Sequence, residues 1–248
     1  MTALLQADCV GKHFGRTRVL SAATLRAAEG TLTYLVGRNG CGKSTLLRIV
    51  SGELASDSGI VFFRGRPMLR PRWHRLAREG FAYLPDRELL APNRTVRDHL
   101  DMVVRQFGLP GCEGTVETCA LGSLLDRRCG SLSEGERRRA EVATVLARRP
   151  ACLLADEPYR NLDPADRLVI AGALRHLTGE GCAVVVTGHE VEELLASVDT
   201  VTWCTDGTTY ELGTPQEALA HFRFVSGYVG PARADRLRRE LDQRQTGP

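Results

Sequence analysis

The chain has 248 residues, 43% of them hydrophobic and 25% charged, with a formal net charge of +3. That length suits one large domain, or one domain with an inserted subdomain, and the composition is that of an ordinary globular protein. So small a net charge gives no argument for a nucleic-acid partner, no apolar run approaches the ~20 residues that cross a bilayer, and the N-terminus lacks a signal-peptide pattern.

Residues 1–36 alternate short apolar segments with turns and read as strands. The last of these, 31–36, is a buried strand that runs into Gly37-Arg38-Asn39-Gly40-Cys41-Gly42-Lys43-Ser44-Thr45. That run fills the pattern G-x-x-x-x-G-K-[ST], a phosphate-binding loop. The glycines let backbone N–H groups wrap an anion, Lys43 supplies charge to the β- and γ-phosphates of a nucleoside triphosphate, and the Ser44 hydroxyl is placed for Mg²⁺. A helix from Lys43 to about Val50 adds its positive N-terminal end.

Residues 59–63 form a further strand. The stretch 64–78 is locally basic, with Arg64, Arg66, Arg70, Arg72, Arg75 and Arg78, and reads as a solvated helix face rather than a binding patch. Residues 81–84 are a strand closed by Pro85. From there to about 150 the character changes to helices. Residues 95–107 carry Val96, Leu100, Val103 and Val104 at helical spacing, and 133–149 form a second long helix ended by Pro150. Leu132-Ser133-Glu134-Gly135-Glu136 opens it, with Ser133 and Glu136 as a capping box that fixes a helix end able to face phosphate. Next come a buried strand over 151–155 ending in Asp156-Glu157-Pro158, a helix over 164–178, a strand over 183–187 ending in Thr187-Gly188-His189, a helix over 190–197, and two terminal strands around Trp203 and Tyr210. A carboxylate at a strand tip can hold Mg²⁺, and the next can deprotonate an attacking water. The tail from Pro231 is polar and reads as a loose helix. Strands alternating with helices imply an α/β fold with a mostly parallel sheet.

Eight cysteines lie scattered with no Cys-x-x-Cys pair, which argues against zinc and against a disulfide framework. Free thiols fit a reducing cytoplasm. Cys41 sits inside the phosphate loop, where alkylation should block nucleotide.

The phosphate loop, Leu132 to Glu136, Leu154-Ala155-Asp156-Glu157-Pro158, Asn161-Leu162-Asp163 and Thr187-Gly188-His189 come in the order of an ATP-binding cassette (ABC) ATPase, which the chain resembles over nearly its whole length. Residues 133–139, with 213–219 and 228–230, look most like the ATPase subunits of lipopolysaccharide export and branched-chain amino acid import. The resemblance implies a P-loop NTPase (RecA-like) core at about 1–86 and 150–230, with an antiparallel N-terminal β portion, a helical subdomain at about 87–149 and a polar tail at 231–248. It implies ATP and Mg²⁺ as ligands. Gly37 through Thr45 would bind nucleotide, Phe14 would stack on adenine, Ser44, Asp86 and Asp156 would serve the metal, Glu157 would be the general base, and His189 would contact the γ-phosphate. Leu132 through Glu136 would close the site of a second ABC ATPase subunit, with Asn161, Leu162 and Asp163 crossing the interface. The full motif set makes a homodimer workable. Its other partners would be integral membrane permease subunits, placing the chain on the cytoplasmic face of the inner or plasma membrane with no direct membrane or nucleic-acid contact. A soluble cassette ATPase, for example of the iron–sulfur assembly type, and a low-turnover regulatory subunit are the alternatives.

Two residues depart from the family pattern. Asp86 replaces the glutamine that ligates Mg²⁺ and relays nucleotide state, and when ionised it cannot donate a hydrogen bond. Glu134 replaces a glycine and brings a carboxylate toward the partner's γ-phosphate.

Overall fold

The computed structural model of the chain describes residues 3–68, 73–192 and 198–246. In chain order the elements are β1 (Ala3–Phe14), β2 (Thr17–Ala28), β3 (Leu32–Val36), α1 (Lys43–Val50), β4 (Ser58–Phe63), β5 (Arg66–Pro67), α2 (Trp73–Arg78) and β6 (Phe81–Leu84). They continue with α3 (Val96–Phe107), α4 (Glu113–Thr118), α5 (Glu134–Leu146), β7 (Cys152–Ala155), α6 (Pro164–Gly179), β8 (Ala183–Gly188), β9 (Thr200–Thr205) and β10 (Thr208–Gly213). The C-terminal part holds α7 (Pro215–Ala220), α8 (Phe222–Phe224) and α9 (Pro231–Thr246).

The strands form one sheet in the order β5-β4-β1-β2-β10-β9-β3-β8-β7-β6. From β9 to β6 every pairing is parallel, whereas β1, β2, β4 and β5 pair antiparallel. This is the α/β class expected from the alternation of elements, with an antiparallel N-terminal portion.

β3, β7 and β8 are buried at every position, as a strand covered on both faces must be. Side-chain alternation divides them between two cores. Tyr34, Leu153, Val184 and Val186 face the core built with α5 and α6, while Leu35, Leu154 and Val185 face the one built with α1. Between β6 and β7 the chain inserts α3, α4 and α5. Capping residues set the helix starts: Thr95 and Ser133 each form a complete capping box, and the Asp163 side chain accepts from the Asp166 N–H ahead of Pro164. α5 therefore begins one residue after the expected start and ends at Leu146.

Of the helix expected over 190–197, residues 190–192 are not helical and 193–197 lie outside the described residues, as do Arg70 and Arg72. The C-terminal helix is not loose. Ala234, Leu237 and Leu241 of α9 are buried in the main core, and Arg233 and Arg236 both pair with Glu192 in the segment after β8. The sequence showed mostly charge here because only one face of the helix is apolar. Leu237→Ala should therefore cost about 2–5 kcal/mol in chemical denaturation. A loss below ~0.5 kcal/mol, the usual scatter of surface substitutions, would mean that α9 does not pack as described.

Candidate active site

Parallel registry brings the chemistry together. Val36 pairs with Gly188, Val186 with Ala155, and Ala155 with Leu84. The segments that leave β3, β8, β7 and β6 therefore emerge at one edge of the sheet, where ligands of open α/β sheets bind. They are the phosphate loop, His189, Asp156-Glu157 and Pro85-Asp86.

The loop is held by its own backbone. The Gly37 N–H donates to the Gly188 carbonyl at 3.3 Å, the Cys41 N–H to Arg38 at 3.2 Å, and the Leu46 N–H to Gly42 at 2.9 Å as α1 begins. Gly42 has φ 111°, and a Cβ there would come within 2.6 Å of Leu20, so conformation and space both require glycine. Lys43 is 4% exposed, and its ammonium donates to the carbonyls of Gly37 at 2.8 Å and Arg38 at 3.2 Å. It lies folded over the loop that would wrap the phosphates. Residues 17–19 border the same pocket as Arg38, Asn39, Gly40 and Cys41. Phe14, just before this hairpin's turn, is 47% exposed, with the Lys12 ammonium 5.7 Å from its ring centre.

One hydroxyl organises the two carboxylates. Thr187 Oγ1 donates to Asp156 Oδ1 at 2.6 Å and accepts the Glu157 N–H at 2.8 Å. Burial raises the Asp156 carboxyl above the usual carboxylate range, and the Thr187 and Ser44 hydroxyls counter part of that rise. Its other oxygen, Oδ2, is buried and lacks a hydrogen bond of good geometry. A buried, unsatisfied carboxylate oxygen beside a serine hydroxyl, with Asp86 close enough to act on it electrostatically, is a hard-oxygen set that fits Mg²⁺. Glu157 has φ 43°, a conformation that costs a non-glycine residue energy. Its carboxylate lies 3.8 Å from His189 Nδ1. Two tyrosines hold the histidine's segment: Tyr228 Oη donates to the His189 carbonyl at 2.7 Å, and the fully buried Tyr34 Oη to the Glu190 carbonyl at 2.8 Å.

The signature segment lies on the same side. Ser133 and Glu134 are exposed, Leu132 is buried, and Glu136 completes the cap while pairing with Arg127 at 2.9 Å. A Cβ on Gly135 would overlap the Asp166 carboxylate, so this glycine permits α5 to pack on α6. Both atypical residues are tied to the same short stretch. Asp86 pairs with Arg160 at 3.8 Å, and Glu134 Oε1 accepts from Asn161 Nδ2 at 3.4 Å. Asn161 itself has φ 57°, Asp163 caps α6 and Leu162 is buried.

Sequence reasoning gave no role to Arg138 or Tyr34, and none to the Thr187 hydroxyl. Arg138 is 8% exposed and reaches from α5 to the carbonyls of Pro85 at 2.9 Å, Asp156 at 3.0 Å and Pro158 at 3.4 Å, and to Glu141 at 3.0 Å. It joins the signature helix to the backbone on both sides of Glu157 and just before Asp86. An arginine or tyrosine at a core-facing position was the available signal, since a buried donor must find acceptors.

Comparison with known proteins agrees with this geometry. The ABC transporter family profile matches residues 20–160, more than half of the chain. The chain is 32% identical over 236 residues to the lipopolysaccharide export system ATP-binding protein LptB of Acidithiobacillus ferridurans, covering 93% of this chain and 98% of that protein. It is 34% identical to the Nod factor export ATP-binding protein I of Rhizobium etli over 225 residues, covering 88% and 70%. In fold it is similar to a nucleotide-free ATP-binding cassette from an ABC transporter, with a TM-score of 0.80 at 22% identity over 93% of this chain and 100% of that one. The fold and site define a P-loop ATPase, and the chain belongs to the ABC transporter family. It is an ATP-binding and ATP-hydrolysing transporter subunit.

Thr187→Val keeps shape but removes the shared hydroxyl. Turnover should fall about 10- to 100-fold through misplacement of the carboxylates, with ATP affinity nearly unchanged. Steady-state ATPase assays with nucleotide titration check this, and wild-type turnover would contradict it. Asp86→Gln and Glu134→Gly should each raise ATPase activity or leave it unchanged, because each removes a tether to residues 160–161 that the family pattern lacks. A tenfold fall in either would refute that reading.

Proposed function

We propose that two copies of this chain bind two ATP molecules between them, each site formed by one copy's phosphate loop and the other's signature helix, and that the closing and reopening of this pair drives a membrane permease. The observation that carries the reading is Glu157. It is an acidic residue in a strained backbone conformation, its N–H held by Thr187 and its carboxylate set beside His189 at the edge where the phosphate loop lies.

In this mechanism Lys43 leaves its loop carbonyls for the β- and γ-phosphates, and the loop N–H groups from Gly40 to Thr45 hold the phosphate oxygens. Phe14 stacks on adenine. Ser44, Asp156 and Asp86 would hold Mg²⁺, whose charge would offset that of the triphosphate. Glu157 accepts a proton from the water that attacks the γ-phosphorus, while His189 donates a hydrogen bond to a γ-oxygen. ADP and inorganic phosphate are the products. Ser133 and the N-terminal end of α5 face the partner's γ-phosphate, and the segment 161–163 lies across the interface. ATP can favour the closed pair only by its differential affinity for it, and loss of the γ-phosphate removes that difference. No helix among the described residues is long and apolar enough to cross a membrane. In this reading the permease attaches the chain to the cytoplasmic face of the membrane. The relatives named for lipopolysaccharide and Nod factor export support a transport role, and the permease selects the cargo.

Glu157→Gln should keep ATP binding but lose roughly 100- to 10,000-fold in turnover, the usual worth of a general base. Full activity would refute the assignment. Purification from detergent-solubilised membranes should recover an integral membrane protein at a fixed ratio. Recovery only from the soluble fraction, with assembly factors bound, would favour a soluble cassette ATPase instead.

A further inference from the structure

The phosphate loop carries a thiol that the ATPase reaction does not use. Cys41 is partly exposed between Gly40 and Gly42, and Cys204 lies fully buried in β9 directly beneath it. Cys204 Sγ donates to the Cys41 carbonyl at 3.3 Å, which sets the two cysteines against each other at the loop. Gly37 leaves room for both: a Cβ there would lie 2.7 Å from Cys41 Sγ and overlap the Cys204 carbonyl. Both cysteines line the pocket that borders the loop, so a small solute reaches Cys41 from solvent.

We propose that Cys41 and Cys204 are a redox pair, in which a hydroperoxide oxidises Cys41 and Cys204 resolves it to a disulfide that withdraws the phosphate loop from ATP. The Cys41 thiolate attacks the terminal oxygen of the hydroperoxide. The O–O bond breaks, the alkoxide or hydroxide leaves and takes a proton from water, and Cys41 becomes a sulfenic acid. The Cys204 sulfur then attacks the Cys41 sulfur, the S–O bond breaks, and hydroxide leaves with the Cys204 proton as water. The two sulfurs together lose two electrons, and the hydroperoxide gains them.

The environments assign these roles. The neighbouring Cys204 thiol lowers the Cys41 thiol to about 7, with help from the Lys43 ammonium and against the effect of burial. The neighbouring Cys41 thiol and its own burial raise Cys204, so Cys204 keeps its proton and the partly exposed Cys41 is the nucleophile. Other cysteines differ. Burial pushes Cys119 and Cys182 up to about 12 and raises Cys152 as well. Closing the bond brings the two Cβ atoms to about 3.8 Å. The buried strand cannot move, so the loop must, and Cys41 stands two residues before Lys43 in a turn whose glycines fix the phosphate-facing N–H groups.

The full chain treated with hydrogen peroxide and then quenched with catalase tests this. Intact mass should fall by two hydrogens, and a non-reducing peptide map should show Cys41 linked to Cys204. The affinity for a fluorescent ATP analogue, read without turnover, should weaken at least ~10-fold. Dithiothreitol should restore both, and saturating ATP should slow the linkage. In Cys204→Ser, peroxide should leave a dimedone-reactive sulfenic acid on Cys41 and no linkage. Wild type that gains oxygen without the linked peptide, or that forms the link yet binds the analogue unchanged, would overturn the proposal, and neither readout depends on the variant.

Discussion

A single hydroxyl shared between neighbouring strand ends is the contact on which the site depends. Thr187 closes β8 by donating to Asp156 and accepting from the Glu157 backbone at the end of β7. It makes the carboxylate proposed to hold the metal and the one proposed to activate water parts of one rigid object. Rigidity matters because Glu157 occupies a backbone conformation that a free chain would abandon. The parallel registry of β3 with β8 then places the phosphate loop against that object, with the Gly37 N–H bonded to the Gly188 carbonyl. Catalysis by positioning needs this kind of fixed frame more than it needs additional chemical groups.

Around the frame are groups that tie it to the rest of the fold. Arg138 distributes its donors over carbonyls beside Asp86 and on either side of Glu157, so α5 cannot shift without displacing those backbones. A buried guanidinium with this many acceptors is expensive to disturb, since each lost bond leaves a desolvated charge. On the other side, Tyr228 holds the His189 carbonyl, and Glu192, three residues further on, is held by Arg233 and Arg236 of α9. The C-terminal helix is thus part of the catalytic edge's support. The signature helix grips the loops after β6 and β7, and the C-terminal part grips the segment after β8.

Much of this was legible in the chain because it depends on local spacing. The phosphate loop, the capping box at Ser133 and Glu136, and the apolar runs ending in Asp156 and His189 each occupy a few consecutive residues, and their order gives the fold. The missing parts are contacts between residues far apart in sequence. Nothing local marks Thr187 as the partner of Asp156, or Arg138 as the partner of Pro85. α9 looked loose because its charged face outweighs the narrow apolar one carried by Ala234, Leu237 and Leu241. The pairing of Asp86 with Arg160 and Glu134 with Asn161 needed coordinates for the same reason: each is an ordinary surface contact whose meaning lies in where it falls.

The claim that each ATP site is completed by a second copy is tested most directly by mass in solution. With Glu157→Gln preventing turnover, the chain should elute as a monomer alone and as a dimer with ATP, measured by light scattering. Adding Ser133→Arg, which changes the surface that would face the partner's nucleotide and also removes the cap of α5, should leave it monomeric although it still binds ATP. A dimer that forms equally well in the double variant, or an ATP-loaded single variant that stays monomeric, would contradict the account.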